Sequence, residues 1–254
     1  MEFQKRKSAA LTAMNSPAPD KSPKGTVDAP IIPLLTAVNS HPSYFTTSSC
    51  SGRITILSQP TASPSASKKK ARGGSWIFVS HDPVNPSSLS TLLFPPSATP
   101  AQRDLHEEPR LSESIVFRFE PLIIAVECEN VEAAQSLVSL AISCGFRESG
   151  ITSVSKRVII AIRCSIRLEV PLGDTKRLMV SPEYVEYLVE VANEKMGANR
   201  KRTDLFLIKL INNSFAGHEI RVNGEMSSDP AEPLAGEQIS CGEWRGGPGG
   251  RVGF

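Results

Sequence analysis

Apolar and polar residues are distributed along this chain in short runs that predict strands and longer runs that predict helices. Runs that alternate apolar and polar residues, or that are rich in β-branched residues, are typical of strands. Such runs occupy residues 54–57, 76–80, 115–119, 122–128, 158–164 and 167–170, with a shorter one at 92–94. The Glu120-Pro121 step lies between two of these runs and is predicted to separate two strands.

Four segments instead carry residues whose spacing or helix propensity predicts helices. These helices are predicted at residues 1–15, 29–39, 131–144 and from 181 to about 206 or beyond. Asp28 and Asn130 precede two of them as candidate caps, and Gly145 supplies a C-terminal stop. Pro182 follows Ser181 at the first position of the last helix, where proline is well tolerated.

The order of these elements predicts an α+β fold with a compact mixed sheet and flanking helices. The strands come in a run and in pairs, and not in the regular βαβ alternation of doubly wound folds. Segments 59–72 and 83–108 are rich in serine and proline and are predicted to be irregular loops. Residues 1–215 form one predicted domain, and the segment 216–254 is predicted to be a disordered tail.

Composition narrows the class of protein. The chain has 254 residues, is 40% hydrophobic and has a net charge of +2, so it can build a core and is only mildly basic. The five cysteines are odd in number and widely spaced, which disfavours a zinc site or a disulfide framework and indicates a reducing compartment. Because the sequence lacks a long apolar run and a secretory signal, we expect no membrane span and a cytoplasmic location.

The segment 44–54, Tyr-Phe-Thr-Thr-Ser-Ser-Cys-Ser-Gly-Arg-Ile, concentrates polar chemistry. Its first ten residues hold six hydroxyl groups, one thiol and one guanidinium. Hydroxyl groups donate and accept hydrogen bonds, and arginine presents a fork of donors that suits carboxylate or phosphate. Two interpretations stay open: a loop beside a strand that binds a polar, anionic ligand, or a Ser/Thr-rich turn with a solvated Arg53.

Several other motifs follow this segment in a fixed order. They are Gly-Gly-Ser-Trp through His at 73–81, Phe-Arg-Phe-Glu-Pro at 117–121, Gly-Phe-Arg-Glu-Ser-Gly-Ile-Thr at 145–152, Leu-Glu-Val-Pro-Leu at 168–172 and Val-Ala-Asn-Glu-Lys-Met at 191–196. In content and order they resemble the tRNA wybutosine-synthesizing protein 3 family. The resemblance covers roughly residues 1–210 and leaves out the Pro/Ser-rich insert near 59–72 and the tail beyond Phe215.

The resemblance implies an enzyme that uses S-adenosylmethionine in wybutosine biosynthesis. The implied substrate is the N4 nitrogen of the 7-aminocarboxypropyl-demethylwyosine base at position 37 of phenylalanine tRNA. Implied partners are the anticodon loop of that tRNA and other wybutosine-pathway enzymes, to which plant members are often joined. It also implies a fold unlike a Rossmann methyltransferase, and the sequence has no glycine-rich turn at a strand–helix junction.

Two other functions stay open. The first is a non-catalytic RNA-binding module that presents the anticodon loop to other wybutosine enzymes, which the basic insert and the tail would suit. The second is a small-molecule-binding regulatory domain that uses the Ser/Thr-Arg segment. The basic cluster at 68–72 is compatible with RNA contact or with simple solvation.

Methyl transfer requires alignment of a methyl group with a nitrogen and departure of a proton, which suggests candidate residues. Asp28 is a candidate catalytic proton acceptor or partner for a substrate amine, besides its interpretation as a helix cap. Ser49 is assigned to catalysis, and Ser48 and Ser51 to the cofactor, in each case to bind its carboxylate or to orient the base. Arg53 is also assigned to the cofactor, while a surface ion pair stays open.

Five further residues are candidates for binding the tRNA substrate. Trp76 is predicted to stack on the flipped base, although a core position is an open alternative. His81 is a candidate proton shuttle or an ordinary polar residue at a strand end. Lys21 and Lys24 contact tRNA phosphates or are solvated, and Arg147 belongs to a predicted positive rim with Ser149 and Arg163.

Cys50 is not predicted to be a nucleophile, because methyl transfer is a direct displacement that needs no covalent intermediate. A structural or binding thiol is the favoured interpretation, and no metal site is predicted. Glu120 and Glu169 are expected at strand ends, where their carboxylates would line a cleft.

Overall fold

The computed structural model describes residues 2–14, 26–60, 74–95 and 113–222. The α-helices in these ranges are α1 Glu2–Met14, α2 Ile32–Ser40, α3 Pro86–Leu93, α4 Val131–Ser143 and α5 Pro182–Val222. A 3-10 turn, Ala29–Ile31, leads into α2. The strands are β1 Tyr44–Pro60, β2 Ser75–Ser80, β3 Glu113–Cys128, β4 Gly150–Ser153, β5 Val158–Arg163 and β6 Leu168–Asp174. None of the described helices is both long enough and apolar enough to cross a membrane.

One antiparallel sheet organises the fold around its two long strands. The strand order is β2-β1-β3-β5-β4, and β6 also pairs with β3. β1 and β3 pair along their whole length, from Tyr44 opposite Cys128 to Pro60 opposite Glu113. On its other edge, β3 pairs with β6 through its first half and with β5 through its second half. The β1–β3 ribbon is therefore the element that positions everything else.

The residues of β3 that pack in the two cores are odd-numbered in its first half and even-numbered in its second half. Phe117 and Phe119 pack in one core, whereas Leu122 packs in a second core with α2 and α4, and α5 contributes to both cores. Successive residues of a regular strand point to opposite faces, so one core collects positions of one parity. Gly52 faces Pro121 across the ladder and has a φ of +108°, which L side chains rarely adopt. The ribbon is irregular at this pair, and one core lies on either side of it.

Asn199 of helix α5 supplies the hydrogen bonds that the two strands lack at this irregularity. Between Cys50 and Pro60, the pair Ser51–Leu122 is the one missing from the β1–β3 register. The Asn199 Oδ1 atom accepts the Leu122 N–H at 2.9 Å, and its Nδ2 atom donates to the Ser51 carbonyl at 2.8 Å. Asn199 is 1% exposed, so its amide satisfies two backbone groups that water does not reach.

The structure confirms the α+β class, as an antiparallel sheet with flanking helices. Six predicted elements are present within a few residues of their predicted bounds. The strands β2, β5 and β6 were predicted at 76–80, 158–164 and 167–170, and the helices α1, α4 and α5 at 1–15, 131–144 and from 181. The capping predictions for α4 also hold, because Asn130 accepts the Ala133 N–H at 2.8 Å and Gly145 follows the helix with a φ of +96°. Local signals were therefore sufficient for these elements.

Two predictions about strand boundaries are wrong. The hydroxyl-rich residues 44–53 are the first part of β1, and not a loop beside a strand, because they pair with the second half of β3. Glu120 and Pro121 do not end a strand, since β3 continues through them. Pro121 is tolerated because it lies opposite Gly52, where the ladder is already irregular.

Three further local predictions are wrong. The segment 83–108 is not an irregular loop throughout, because residues 86–93 form α3, and 92–94 are therefore not a strand. The helix begins at Pro86, and its cap Asn85 accepts the Ser87 N–H at 3.0 Å. The Asp28 side chain makes no capping hydrogen bond to the 3-10 turn, although its backbone carbonyl accepts the Ile31 N–H at 3.2 Å. Some predictions fall outside the described residues. These are the predictions for Lys21 and Lys24, for segments 61–73 and 96–112, and for residues 223–254, which hold most of the predicted tail.

Candidate active site

Asp28 is a buried carboxylate that binds the hydroxyl-rich part of β1. The residue is 6% exposed. Its Oδ2 atom accepts hydrogen bonds from the Ser51 N–H at 2.9 Å and from the Ser51 hydroxyl at 3.0 Å. Hydrogen bonds to an ionised carboxylate are stronger than neutral ones and stabilise the charged form. The chain thus holds a carboxylate in the interior at the point where the ribbon is irregular.

His81 lies beside this carboxylate, one residue after β2. Its Nδ1 atom is 3.2 Å from the Asp28 Oδ2 atom and 3.1 Å from the Gly52 carbonyl oxygen. Both neighbours accept hydrogen bonds, so the arrangement places a proton on Nδ1. In the neutral ring, Nε2 then carries the lone pair and is the nitrogen able to accept a proton. Asp28 and Gly52 together determine the tautomer and orientation of the ring.

A cavity of about 230 Å³ opens beside His81 and Ser51, two residues that contact Asp28. Its wall combines residues that precede α2, residues of the sheet and residues of α5. The lining consists of Pro30, Ile31, Ser51, His81, Asp82, Met196, Asn199, Arg200, Thr203 and Asp204. Two of these residues, Arg200 and Asp82, form an ion pair at 3.0 Å. Carboxylate, guanidinium, hydroxyl and apolar groups therefore face one small volume.

Cys50 lies close to the same pair and is poorly suited to nucleophilic attack. Ligand atoms of Asp28, Cys50 and His81 lie within 4.8 Å of one another, near enough to share a cation. Burial, the largest effect, raises the pKa of the Cys50 thiol. A thiol that keeps its proton is a weak ligand and a weak nucleophile. Cys50, His81 and Asp28 thus form one cluster, in which the Cys50 Sγ atom lies 3.8 Å from His81 Nδ1.

Arg53 and Trp76 form an outward-facing pair on neighbouring strands. The Arg53 guanidinium carbon lies 4.6 Å from the Trp76 ring centroid, which is a cation–π contact. The Arg53 Nε atom also donates to Glu120 at 2.7 Å. Trp76 keeps 42% of its surface exposed and belongs to neither core. The aromatic face and the ion pair thus lie on the surface of the sheet.

The other predicted site residues are placed less centrally. Ser48 and Ser49 lie on β1 with exposed side chains, and neither lines the cavity. Of the three serines, Ser51 is the one that reaches it. Arg147 is exposed in the turn after α4. The structure therefore brings together Asp28, Ser51 and His81, with the Arg53–Trp76 pair nearby.

Sequence reasoning missed the contribution of α5 to the cavity. Met196, Asn199, Arg200 and Asp204 come from a helix that is almost 150 residues beyond β1 in the chain. One signal was present: polar Asn199 and Thr203 continue the buried stripe of Ala192 and Met196 at helical spacing. A polar residue inside such a stripe indicates a buried polar partner.

Comparisons with known proteins agree with one another. The family model described as Methyltransferase TYW3 matches residues 5–212. The chain is 62% identical over 218 residues to tRNA wybutosine-synthesizing protein 2/3/4 of Arabidopsis thaliana, covering 85% of this chain and 21% of that relative. It is 36% identical over 214 residues to tRNA wybutosine-synthesizing protein 3 of Saccharomyces cerevisiae, covering 79% of this chain and 77% of the yeast protein.

The chain spans only about a fifth of its plant relatives, since a rice tRNA wybutosine-synthesizing protein 2/3/4 is also covered over 20% of its length at 57% identity. Among solved structures, the PH1069 protein from Pyrococcus horikoshii superimposes with a TM-score of 0.65 at 32% sequence identity. That match covers 82% of this chain and 95% of the archaeal protein. The fold and the sequence therefore point to the same group of proteins.

Proposed function

Because this chain belongs to the TYW3 methyltransferase family, we propose that it transfers a methyl group from S-adenosylmethionine to a tRNA base in wybutosine biosynthesis. The proposed acceptor is the N4 nitrogen of the 7-aminocarboxypropyl-demethylwyosine base at position 37 of phenylalanine tRNA. The family resemblance predicted from the sequence motifs is confirmed by these matches. The Asp28–His81 pair, whose histidine lines a mixed polar and apolar cavity, is the observation that carries the proposal.

The cavity wall suits the chemistry of the proposed cofactor. S-adenosylmethionine supplies an electrophilic methyl group, and it carries cationic and carboxylate groups beside an apolar adenine face. Asp204 and Asp82 suit its cationic groups, Arg200 suits its carboxylate, and Ile31 and Met196 supply apolar surface. Ser51 also lines this cavity, which agrees with its proposed role in cofactor binding. Ser48 and Arg53 lie outside the lining and stay candidates for the edge of the site.

His81 and Asp28 fit the removal of the proton from the acceptor nitrogen. The Nδ1–H group donates to the Asp28 carboxylate, so that Nε2 is the basic atom. When Nε2 takes a proton, the ring becomes cationic, and the adjacent buried carboxylate stabilises that charge. Asp28 thus acts through the histidine, and direct contact of Asp28 with a substrate amine is the alternative role.

Trp76 and Arg53 offer a surface on which a flipped base could be held. An exposed indole face binds nucleobases by stacking, and a guanidinium plane over the ring extends that surface. The Glu120 carboxylate holds Arg53 in place at 2.7 Å. Arg53 directly follows Gly52, whose carbonyl oxygen lies 3.1 Å from His81 Nδ1, so this surface adjoins the proposed proton acceptor along β1.

The direct test is a methyl-transfer assay. We expect the protein to transfer label from radiolabelled S-adenosylmethionine to phenylalanine tRNA taken from a strain that lacks this methylation step. The modified nucleoside should be identified after digestion, and cofactor binding should be measured by calorimetry. Absence of transfer together with absence of cofactor binding would contradict the proposal, whereas tRNA binding alone would favour a non-catalytic RNA-binding module.

A pair of serine variants tests which hydroxyl of β1 serves the site. Ser51→Ala removes a charge-assisted hydrogen bond to Asp28 at 3.0 Å, so we expect turnover to fall about tenfold. Ser49→Ala changes an exposed side chain two residues away and should have a much smaller effect. Steady-state kinetics of both variants, with circular dichroism as the folding control, decides between them. A large loss in Ser49→Ala with a normal Ser51→Ala would return the catalytic role to Ser49.

A further inference from the structure

The sheet divides at the middle of β3 and leaves a second cleft there. β6 pairs with β3 only as far as Phe119, and β5 pairs with it only from Ile123 onward. Residues 120–122 of β3 therefore pair with neither β6 nor β5 on this edge. A cleft of about 260 Å³ opens at this position. It lies on the β3 edge of the β1–β3 ribbon, while the candidate active site lies on the β1 and α5 side.

Arginines of this cleft outnumber its carboxylates, and the carboxylates are already paired. Glu120 is bound by Arg53 at 2.7 Å, and Glu169 is bound by Arg118 at 3.0 Å. Arg167 pairs at 2.7 Å with Glu148, which lies outside the cleft lining. Both carboxylates of the cleft are therefore neutralised by arginines, and so is Arg167 by Glu148. One arginine of the cleft lining is left without a carboxylate among the described residues.

That arginine is Arg163, which lies at the end of β5. Its side chain is exposed and makes no hydrogen bond or ion pair with the part of the chain that the structure describes. Its backbone N–H donates to the Ser149 hydroxyl at 3.1 Å, which joins this strand end to the turn that contains Arg147. Arg147 is likewise exposed and unpaired among the described side chains. In addition, the Arg118 Nε atom is buried without a hydrogen-bond partner in the described structure.

We propose that this cleft is a binding site for a phosphodiester group of the RNA substrate, held by Arg163 with help from Arg147. The proposal rests on the proposed function, because it takes RNA as the substrate. A guanidinium fork matches two oxygens of a phosphate, and an exposed arginine binds such a group without first breaking an internal ion pair. The motif at 145–152 and the end of β5 thus gain a role that the active-site cavity does not give them.

The position of the cleft suits an RNA strand whose base enters the active site. Ser51 lines the active-site cavity, and Leu122, at the unpaired position opposite it, lines the cleft. Neighbouring strands lie about 5 Å apart, so the two sites are separated by roughly the width of the ribbon and its side chains. The Arg53–Glu120 ion pair spans this ribbon from the Trp76 side to the cleft wall. One strand of RNA can therefore contact both places.

The test is RNA binding measured as a function of salt. The probe is the anticodon stem–loop of phenylalanine tRNA as a labelled oligonucleotide, titrated with the wild-type protein and with Arg163→Gln and Arg147→Gln. Loss of one phosphate contact should weaken binding about tenfold and lower the slope of log Kd against log salt by about one. Lys156→Gln is the matched control, since it removes one exposed cation at the opposite end of β5. Melting temperatures should be unchanged in all three variants.

The proposal is supported if Arg163→Gln lowers both affinity and salt slope while Lys156→Gln changes neither. It is overturned if Arg163→Gln binds like the wild type, or if all three variants lose the same small amount through general electrostatics. Methyl transfer is measured in a separate assay, so the phosphate-binding cleft and the proposed methyltransferase activity can be contradicted independently. A wild-type protein that methylates tRNA while Arg163→Gln binds RNA normally contradicts the cleft alone. A wild-type protein that transfers no methyl group but binds RNA in an Arg163-dependent way contradicts the proposed enzyme alone.

Discussion

Asp28→Asn is expected to lower the turnover number of methyl transfer by about 10²- to 10⁴-fold, the range typical of a lost general acid–base group. The amide has no negative charge with which to stabilise a protonated His81. It also replaces one acceptor oxygen by a donor that faces the Ser51 N–H and hydroxyl groups, both of which now donate to Asp28. The tautomer and orientation of the histidine ring are then no longer determined.

A buried carboxylate elsewhere in the sheet provides the control for this substitution. Glu127 is 0% exposed and pairs with Arg6 at 2.7 Å, in the part of β3 far from Pro121. Glu127→Gln should lower the melting temperature by weakening this buried pair but should keep the specific activity of the folded protein. The measurement is single-turnover methyl transfer with circular dichroism on both variants. Normal turnover in Asp28→Asn would remove Asp28 from the proposed mechanism, and equal losses in both variants would mean that only stability had changed.

The sequence predicted much of the local structure because the signals were local. Asn130 and Gly145 bound α4, Pro182 begins α5, and short runs of apolar, mostly β-branched or aromatic residues produce β2 and β5. The polar segment of β1 was mistaken for a loop because its partner, the second half of β3, lies about 75 residues away. Pairing over that distance leaves no mark in the composition of either segment. A strand made of serine and threonine is stabilised by its neighbours and not by its own apolar pattern.

The candidate site was predicted in part for a similar reason. Asp28, Ser51 and His81 lie near recognisable motifs, and the structure brings Ser51 and His81 each within hydrogen-bond distance of Asp28. Alternation along β1 does not separate Ser51 from Ser49, because residues two apart in a strand share a face. Ser51 is buried because it lies where the β1–β3 ladder is interrupted, and there Asp28 and Asn199 bind it. The wall that α5 provides could not be located from spacing alone, because the packing of a helix on a sheet depends on the whole core.

We expect the second large effect from Asn199→Leu, which should lower the stability of the fold. Leucine has nearly the same size but leaves the Leu122 N–H and the Ser51 carbonyl without partners in a position that is 1% exposed. Each buried, unsatisfied group costs about 1–3 kcal/mol, so we expect the free energy of unfolding to fall by roughly 2–5 kcal/mol. A loss of that size should lower the melting temperature by roughly 5–15 °C for a domain of this length.

Asn193 of the same helix offers a matched comparison. Its side chain also makes two hydrogen bonds to backbone groups, accepting the Val84 N–H at 3.0 Å and donating to the Val84 carbonyl at 2.8 Å. Because Asn193 is only partly buried, water can replace these bonds after Asn193→Leu, and the loss should be about 1 kcal/mol. Urea unfolding of both variants measures the difference. If the two variants lose the same stability, the Ser51–Leu122 gap does not depend on Asn199 for its hydrogen bonds, and α5 holds the ribbon through apolar packing alone.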